Sequence, residues 1–169
     1  NPKEAGQQAG FYKKNTNDYQ RRIQLALNEL VKQGANPDKI VVIGYCFGGG
    51  MLLNFVRMGE PLKGIVSFHG SLLGTPANKN LLTAKILVLH GDDDKFVPAT
   101  EVAAFKKQMD SISAEYSFKS YPGATHAFSN PDATAMGQKF QMPIAYNAAA
   151  DTASWNEMKT FFAGLFNHE

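Results

Sequence analysis

A lone cysteine framed by glycines is the strongest chemical signal in this chain. Cys46 lies in Gly44-Tyr45-Cys46-Phe47-Gly48-Gly49, directly after the stretch Lys39 to Ile43, which is apolar from Ile40 onward. Gly-x-Cys-x-Gly is the nucleophile-elbow pattern with sulfur in place of oxygen. In such an elbow a strand turns sharply into a helix and holds the nucleophile in a strained backbone conformation. Side chains at Gly44 and Gly48 are expected to collide with the turn. The thiol is lifted above the sheet edge, and the next helix aims its N-terminus at it, favouring thiolate. The N–H of Phe47 would then donate to an oxyanion.

An elbow needs a base and a group to orient the base, and both residue types occur downstream. Lys85 to His90 reads as a buried strand and runs into Gly91-Asp92-Asp93-Asp94-Lys95-Phe96-Val97-Pro98. Tyr116 to Tyr121 reads as another strand and runs into Pro122-Gly123-Ala124-Thr125-His126-Ala127-Phe128. By residue type, Asp92, Asp93 and Asp94 all qualify as the acid, and an Asp triplet can equally form a hydrogen-bonded turn. A metal site is poorly supported, because adjacent carboxylates alternate direction and no second ligand cluster is evident. His126 is the candidate base. His90 reads as part of a strand end, His69 as packing, and His168 as part of a frayed terminus.

These residues must be positioned by alternating strands and helices. Tyr19, Ile23, Leu27, Leu30 and Val31 recur at helical spacing, with Asn17 and Gln20 as a capping pair and Gly34 as a stop. Residues 39–44 form an apolar strand, as expected where both sheet faces are covered. A helix with Leu52, Phe55 and Val56 follows the elbow, then a strand over Lys63 to Phe68 and a loop over Ser71 to Thr83. Pro98 starts a helix with Val102, Phe105, Met109 and Ile112 on one stripe. Asp151 can cap a last helix carrying Trp155, Met158, Phe162, Leu165 and Phe166. Residues 1–15 and 129–150 read as irregular. The alternation predicts an α/β fold, mainly parallel, with helices on both faces and functional loops at the C-terminal strand ends.

Composition removes other function classes. With 169 residues, one domain over 1–169 is the expectation, and 44% hydrophobic residues suit a packed core. A net charge of +2 with scattered lysines and arginines gives no footprint for nucleic acid. No apolar run is long enough for a membrane span. One cysteine excludes an internal disulfide framework and says little about compartment. Gly48 to Gly50 fail the dinucleotide fingerprint, which needs glycine where Leu53 stands, and no Walker lysine is present.

In combination, the residues resemble the dienelactone hydrolase family. The likeness runs through Gly44 to Gly49, Val66-Ser67-Phe68-His69-Gly70, His90 to Pro98, Gly123 to Phe128, and Ala145-Tyr146-Asn147 to Trp155. It implies an α/β-hydrolase fold with a Cys46, Asp94, His126 triad in the superfamily's chain order. The acid-loop pattern His-Gly-x-x-Asp-x-x-Val-Pro selects Asp94. The resemblance implies cofactor-free hydrolysis of a small enol-lactone or related ester. Family members also carry strands ahead of the helix at residue 17, a second oxyanion donor and a glutamate beside the cysteine. The expectation is therefore a C-terminal part of a longer enzyme, its N-terminal segment cleaved, lost or supplied as a separate chain. Asn130 stands where the dienelactone enzymes place an arginine for the substrate carboxylate, which points to a neutral or different ester. The rival readings are a non-catalytic binding module or inactive fragment that keeps the hydrolase fold, and a redox-sensing thiol.

Overall fold

The structure is a computed structural model that describes residues 1–166, so His168 lies outside the described residues. The chain divides into two compact units, 1–40 and 41–169. The first unit holds α1 (Pro2–Lys14), α2 (Thr16–Lys32) and a single 3-10 turn at Pro37–Lys39. The α1 helix was not expected, because it buries no residue and so shows no apolar period. Its start is written in a capping box instead. The Asn1 side chain accepts the Glu4 N–H, the Glu4 side chain returns to the Asn1 backbone, and Pro2 opens the first turn. The N-cap of α2 is Asn15 rather than Asn17, and Gly34 follows its end at φ 101°.

The second unit is built on a four-stranded parallel sheet in the order β1-β2-β3-β4. The strands are β1 (Val41–Tyr45), β2 (Gly64–Phe68), β3 (Lys85–Gly91) and β4 (Tyr116–Tyr121). The helices are α3 (Phe47–Arg57), α4 (Ala99–Ser111), α5 (Ala133–Phe140) and α6 (Ala148–Phe166). Register sets which side chains share a face, because partners in a parallel ladder point the same way. Val66 pairs with Leu87 and Phe68 with Leu89. Together with Ala124, Phe128, Ala150 and Met158 they form the core beneath α6. The alternate set, with Ile65, Ile86 and Val88, faces the other way. There Phe105 of α4 meets the rings of Tyr116 and Phe118, and Ser67 lies beneath Gly49 of α3.

Three expectations change in this unit. Strand β1 is apolar but not fully covered: Ile43 is 39% exposed and Tyr45 41%. It is an edge strand, pairing only with β2 among the described residues. Residues 133–140 form α5, where an irregular stretch was expected. The misleading residue is Gly137, which packs so tightly that an added Cβ would overlap the Ile144 carbonyl. The cap of α6 is Asn147, whose side chain accepts the Ala150 N–H. Asp151 instead accepts from the Tyr146 hydroxyl.

A buried polar cluster fixes the loop after β2. Arg57 donates to the Leu72 carbonyl at 3.0 Å and lies over the Phe105 ring. Burial lowers the guanidinium pKa to about 10, against the opposing pull of Glu101. Glu101 in turn accepts from the Ser71 hydroxyl and the Leu73 N–H.

The elbow glycines are not equivalent. A Cβ at Gly44 would lie 2.6 Å from the Gly48 carbonyl carbon, so the expected collision is present there. At Gly48 it would meet nothing within 4 Å, so the collision expected there is absent. The crowded helical glycines are Gly49, against Ser67 and Gly44, and Gly50, against Ser71. Gly44→Ala should therefore destabilise the protein by about 1–3 kcal/mol in urea unfolding, because backbone must move. Gly48→Ala should stay within about 1 kcal/mol of wild type and lean toward stabilisation, since alanine favours a helix.

Candidate active site

The C-terminal ends of β1, β3 and β4 deliver the three residues singled out by sequence, and the structure brings them together. Cys46 follows β1 directly and caps α3 with φ 51° and ψ −119°. That left-handed conformation is strained for a residue with a Cβ. The Cys46 N–H is held by two acceptors, the Phe68 carbonyl at 2.9 Å and His69 Nδ1 at 3.2 Å. Cys46 as a residue is exposed, while its sulfur is partly covered beside His126.

Asp94 follows β3 in a tight turn. It is 4% exposed, and its Oδ1 accepts the N–H groups of Phe96 at 2.8 Å and Val97 at 3.2 Å. Those two bonds aim Oδ2 at His126. Asp92 and Asp93 are exposed, and their backbone N–H groups tie the turn to the Tyr121 and Ala124 carbonyls. His126 lies in the loop after β4. Its Nδ1 is 2.8 Å from Asp94 Oδ2 and its Nε2 is 3.0 Å from Cys46 Sγ. With Nδ1–H donating to the carboxylate, Nε2 faces the thiol.

Electrostatics follow from this chain of contacts. Burial by itself would push the Cys46 thiol up. The hydrogen bond and charge of His126, together with the Phe47 N–H, bring it below its ordinary value. Burial would likewise lower His126, but the Asp94 and Cys46 hydrogen bonds and charges raise it to about 9. The contacts therefore favour thiolate on Cys46 and a proton on His126, whose ring is oriented by a buried carboxylate.

The surroundings are aromatic. The Phe96 ring is 48% exposed and stands 5.0 Å from the His126 ring. Tyr45 stacks on Phe68 at 4.5 Å. Asn130 turns its side-chain oxygen to the Asp132 N–H, so no cation occupies that place. His90 is buried near the end of β3 beside Phe118. His69, expected to be packing alone, is hydrogen-bonded at both ring nitrogens, to Cys46 and to Ser129. Ser129 carried no sequence signal, because a serine three residues beyond a histidine is unremarkable until the loop has folded. Among the described residues, no group of three or more His, Cys, Asp or Glu is arranged to hold a metal. No helix among them is long and apolar enough to cross a membrane.

The electrostatic account predicts that His126→Ala raises the pH midpoint of Cys46 alkylation by iodoacetamide. Removing His126 deletes the two leading effects that lower the thiol and leaves burial, the largest one, to raise it. The midpoint should therefore pass above the ordinary thiol value of about 8.5. Wild type should have the lower midpoint of the two.

The family profile described as the dienelactone hydrolase family matches residues 2–166. An uncharacterized protein of Caenorhabditis elegans is 30% identical over 150 residues, covering 86% of this chain and 92% of that protein. A dienelactone hydrolase-like promiscuous phosphotriesterase from metagenomic libraries superposes with TM-score 0.83 and 31% identity, over 92% of this chain and 65% of that one. The m3DLH structure superposes with TM-score 0.89 and 28% identity, over 98% and 69%. The fold is that of an α/β-hydrolase. The chain spans about half the length of the enterobacterial relatives it also matches, 49% of one from Yersinia pestis and 48% of one from Escherichia coli. With the match extending over nearly its whole length, the chain belongs to the dienelactone hydrolase family.

Proposed function

We propose that this chain hydrolyses a neutral carboxylic ester or enol-lactone, with Cys46 as nucleophile, His126 as proton carrier and Asp94 as orienting acid. The observation that carries this reading is the continuous contact from Asp94 Oδ2 through the His126 ring to Cys46 Sγ, 2.8 Å and 3.0 Å, on a strained elbow. Nothing in a purely structural cysteine requires such a relay.

The thiolate attacks the acyl carbon, and the carbonyl electrons move onto oxygen. In this reading the Phe47 N–H, at the start of α3, receives that charge. Collapse breaks the bond to the leaving oxygen and forms a thioester. His126 Nε2–H donates its proton to an alkoxide; an enolate can leave unaided, and His126 then releases that proton to solvent, so Nε2 is free in either case. Water then gives a proton to His126 Nε2 and attacks the thioester, and expulsion of the thiolate restores the site. Throughout, Asp94 stays ionised. It keeps the Nδ1–H tautomer and stabilises the imidazolium, as in other triads. These three side chains and water complete the cycle, so the reading invokes no cofactor.

The neutral substrate class is argued from the surroundings. The exposed Phe96 ring offers an apolar wall beside His126, and Asn130 offers no charge for a carboxylate. Buried Arg57 is committed to the Leu72 carbonyl and to Phe105, so it is not available as a carboxylate receptor.

The direct test is hydrolysis of p-nitrophenyl acetate. Wild type should show a burst of one p-nitrophenolate per chain, with a thioester on Cys46 detectable by mass. Cys46→Ala should lose at least about 10³-fold in turnover. Undiminished turnover in that variant ends the reading. The pH profile adds a second expectation. With an unactivated alkyl ester, acylation should fall above pH about 9, because the imidazolium that protonates the leaving group is lost there. With the p-nitrophenyl ester, whose leaving group needs no proton, that alkaline limb should be absent from the acylation step.

A further inference from the structure

The nucleophile and its base come from opposite edges of the sheet. Cys46 follows β1 and His126 follows β4, with β2 and β3 between them. Three strand spacings amount to roughly 14 Å, so the two loops must lean together over the strand ends and be held there. Asp94, at the end of β3, anchors His126. The end of β2 contributes His69, for which the triad itself has no use.

His69 is 3% exposed and sits at φ 40°, with its N–H on the Leu89 carbonyl at 2.8 Å. Its Nδ1 accepts the Cys46 N–H at 3.2 Å, so that nitrogen carries no proton. The proton must be on Nε2, which lies 2.9 Å from Ser129 Oγ. Ser129 is three residues beyond His126, in the same loop. The contacts therefore close into a ring: Cys46 N–H to His69, His69 to Ser129, along the loop to His126, and His126 Nε2 back to Cys46 Sγ. Ring packing reinforces it, with His69 edge-on to His126 at 5.2 Å and to Phe128 at 5.2 Å. A charged His69 would have no acceptor nitrogen for Cys46 and would repel the imidazolium of His126. Burial, with the charge of His126 as a second cause, lowers His69 to about 3 and keeps it neutral.

We propose that His69 is a positioning residue whose ring ties the Cys46 backbone to the Ser129 hydroxyl and so sets the distance between the thiol and His126. The proposal rests on the reading of Cys46 as nucleophile. It goes beyond that reading by giving β2 a part in the chemistry. His69 touches no reacting atom. It acts through the elbow, whose strained conformation persists only where the surroundings over-determine it.

The experiment is the pH profile of Cys46 alkylation by iodoacetamide, read beside single-turnover acylation by p-nitrophenyl acetate. The variants are Ser129→Ala, His69→Gln, His69→Asn and His126→Ala, with circular dichroism and melting as fold controls. Ser129→Ala removes the tie at Nε2 and frees the tautomer. His69→Gln can reach Ser129 but lacks the acceptor for Cys46. Both should raise the alkylation midpoint by about half a unit, a threefold loss of thiolate on the acid limb. Both should slow acylation about tenfold, as a small misplacement of reacting groups does. His69→Asn, whose amide oxygen can stand near the position of Nδ1, should recover part of the loss seen in His69→Gln. A folded Ser129→Ala and His69→Gln with the wild-type midpoint and rate would overturn the proposal, provided His126→Ala still shifts the midpoint. His69 would then be packing and the triad would stand. A midpoint that His126→Ala also leaves unmoved would overturn both this proposal and the triad. Should the His69 variants fail to fold, Ser129→Ala decides alone, since it alters only a partly buried hydroxyl.

Discussion

The left-handed backbone at Cys46 is the constraint on which the site depends. A non-glycine residue at φ 51° costs roughly 1–3 kcal/mol. It is held there by surroundings that leave no alternative. Gly44 cannot carry a Cβ because the Gly48 backbone crosses it, and Gly49 cannot because Ser67 lies beneath. The Cys46 N–H faces the Phe68 carbonyl, which fixes it to the end of β2. Gly70 closes the same knot, since a Cβ there would overlap Ser67 and the Gly50 nitrogen. Three glycines, Gly44, Gly49 and Gly70, and one serine therefore serve a single purpose. They let α3 start close above β1 and β2, so that the thiol stands clear of the sheet.

A second requirement is charge kept in place without water. Asp94 is nearly sealed, and an isolated buried carboxylate would take up a proton rather than stay ionised. Two backbone N–H groups and the His126 ring supply the compensation. That compensation extends to sulfur, because the raised proton affinity of His126 favours thiolate on Cys46. The same logic opposes charge on His69, which has neutral partners and a cationic neighbour. Two histidines 5.2 Å apart are thus driven in opposite directions by what each nitrogen touches.

Much of this was legible in the sequence, because elbow and loops announce themselves through local geometry. Gly44 and Cys46 encode a turn, and β3 and β4 are runs bounded by turn residues. What was missed lacks a local signature. The α1 helix buries nothing, so periodicity could not reveal it, although Asn1, Pro2 and Glu4 marked its start. In α5, Gly137 looked like a breaker while serving a close packing contact with Ile144. Gly48 was assigned a steric burden that falls on Gly49 and Gly50, because spacing in a motif does not say which way a Cβ would point. The Arg57–Glu101 cluster and the His69–Ser129 contact join residues 44 and 60 positions apart, and only the folded strand order brings them together.

Strand order also explains why four strands are enough to assemble the arrangement. Each strand end gives one group: Cys46 after β1, His69 after β2, Asp94 after β3 and His126 after β4. Neighbouring strands then support each other in pairs, β2 holding the elbow of β1 and β3 holding the histidine of β4. The pairs meet where Nε2 of His126 faces the Cys46 sulfur. Among the described residues the outer edge of β1 pairs with no other strand and takes no part in these contacts. The contact between sulfur and nitrogen is thus made by groups that lie within Val41 to Ser129.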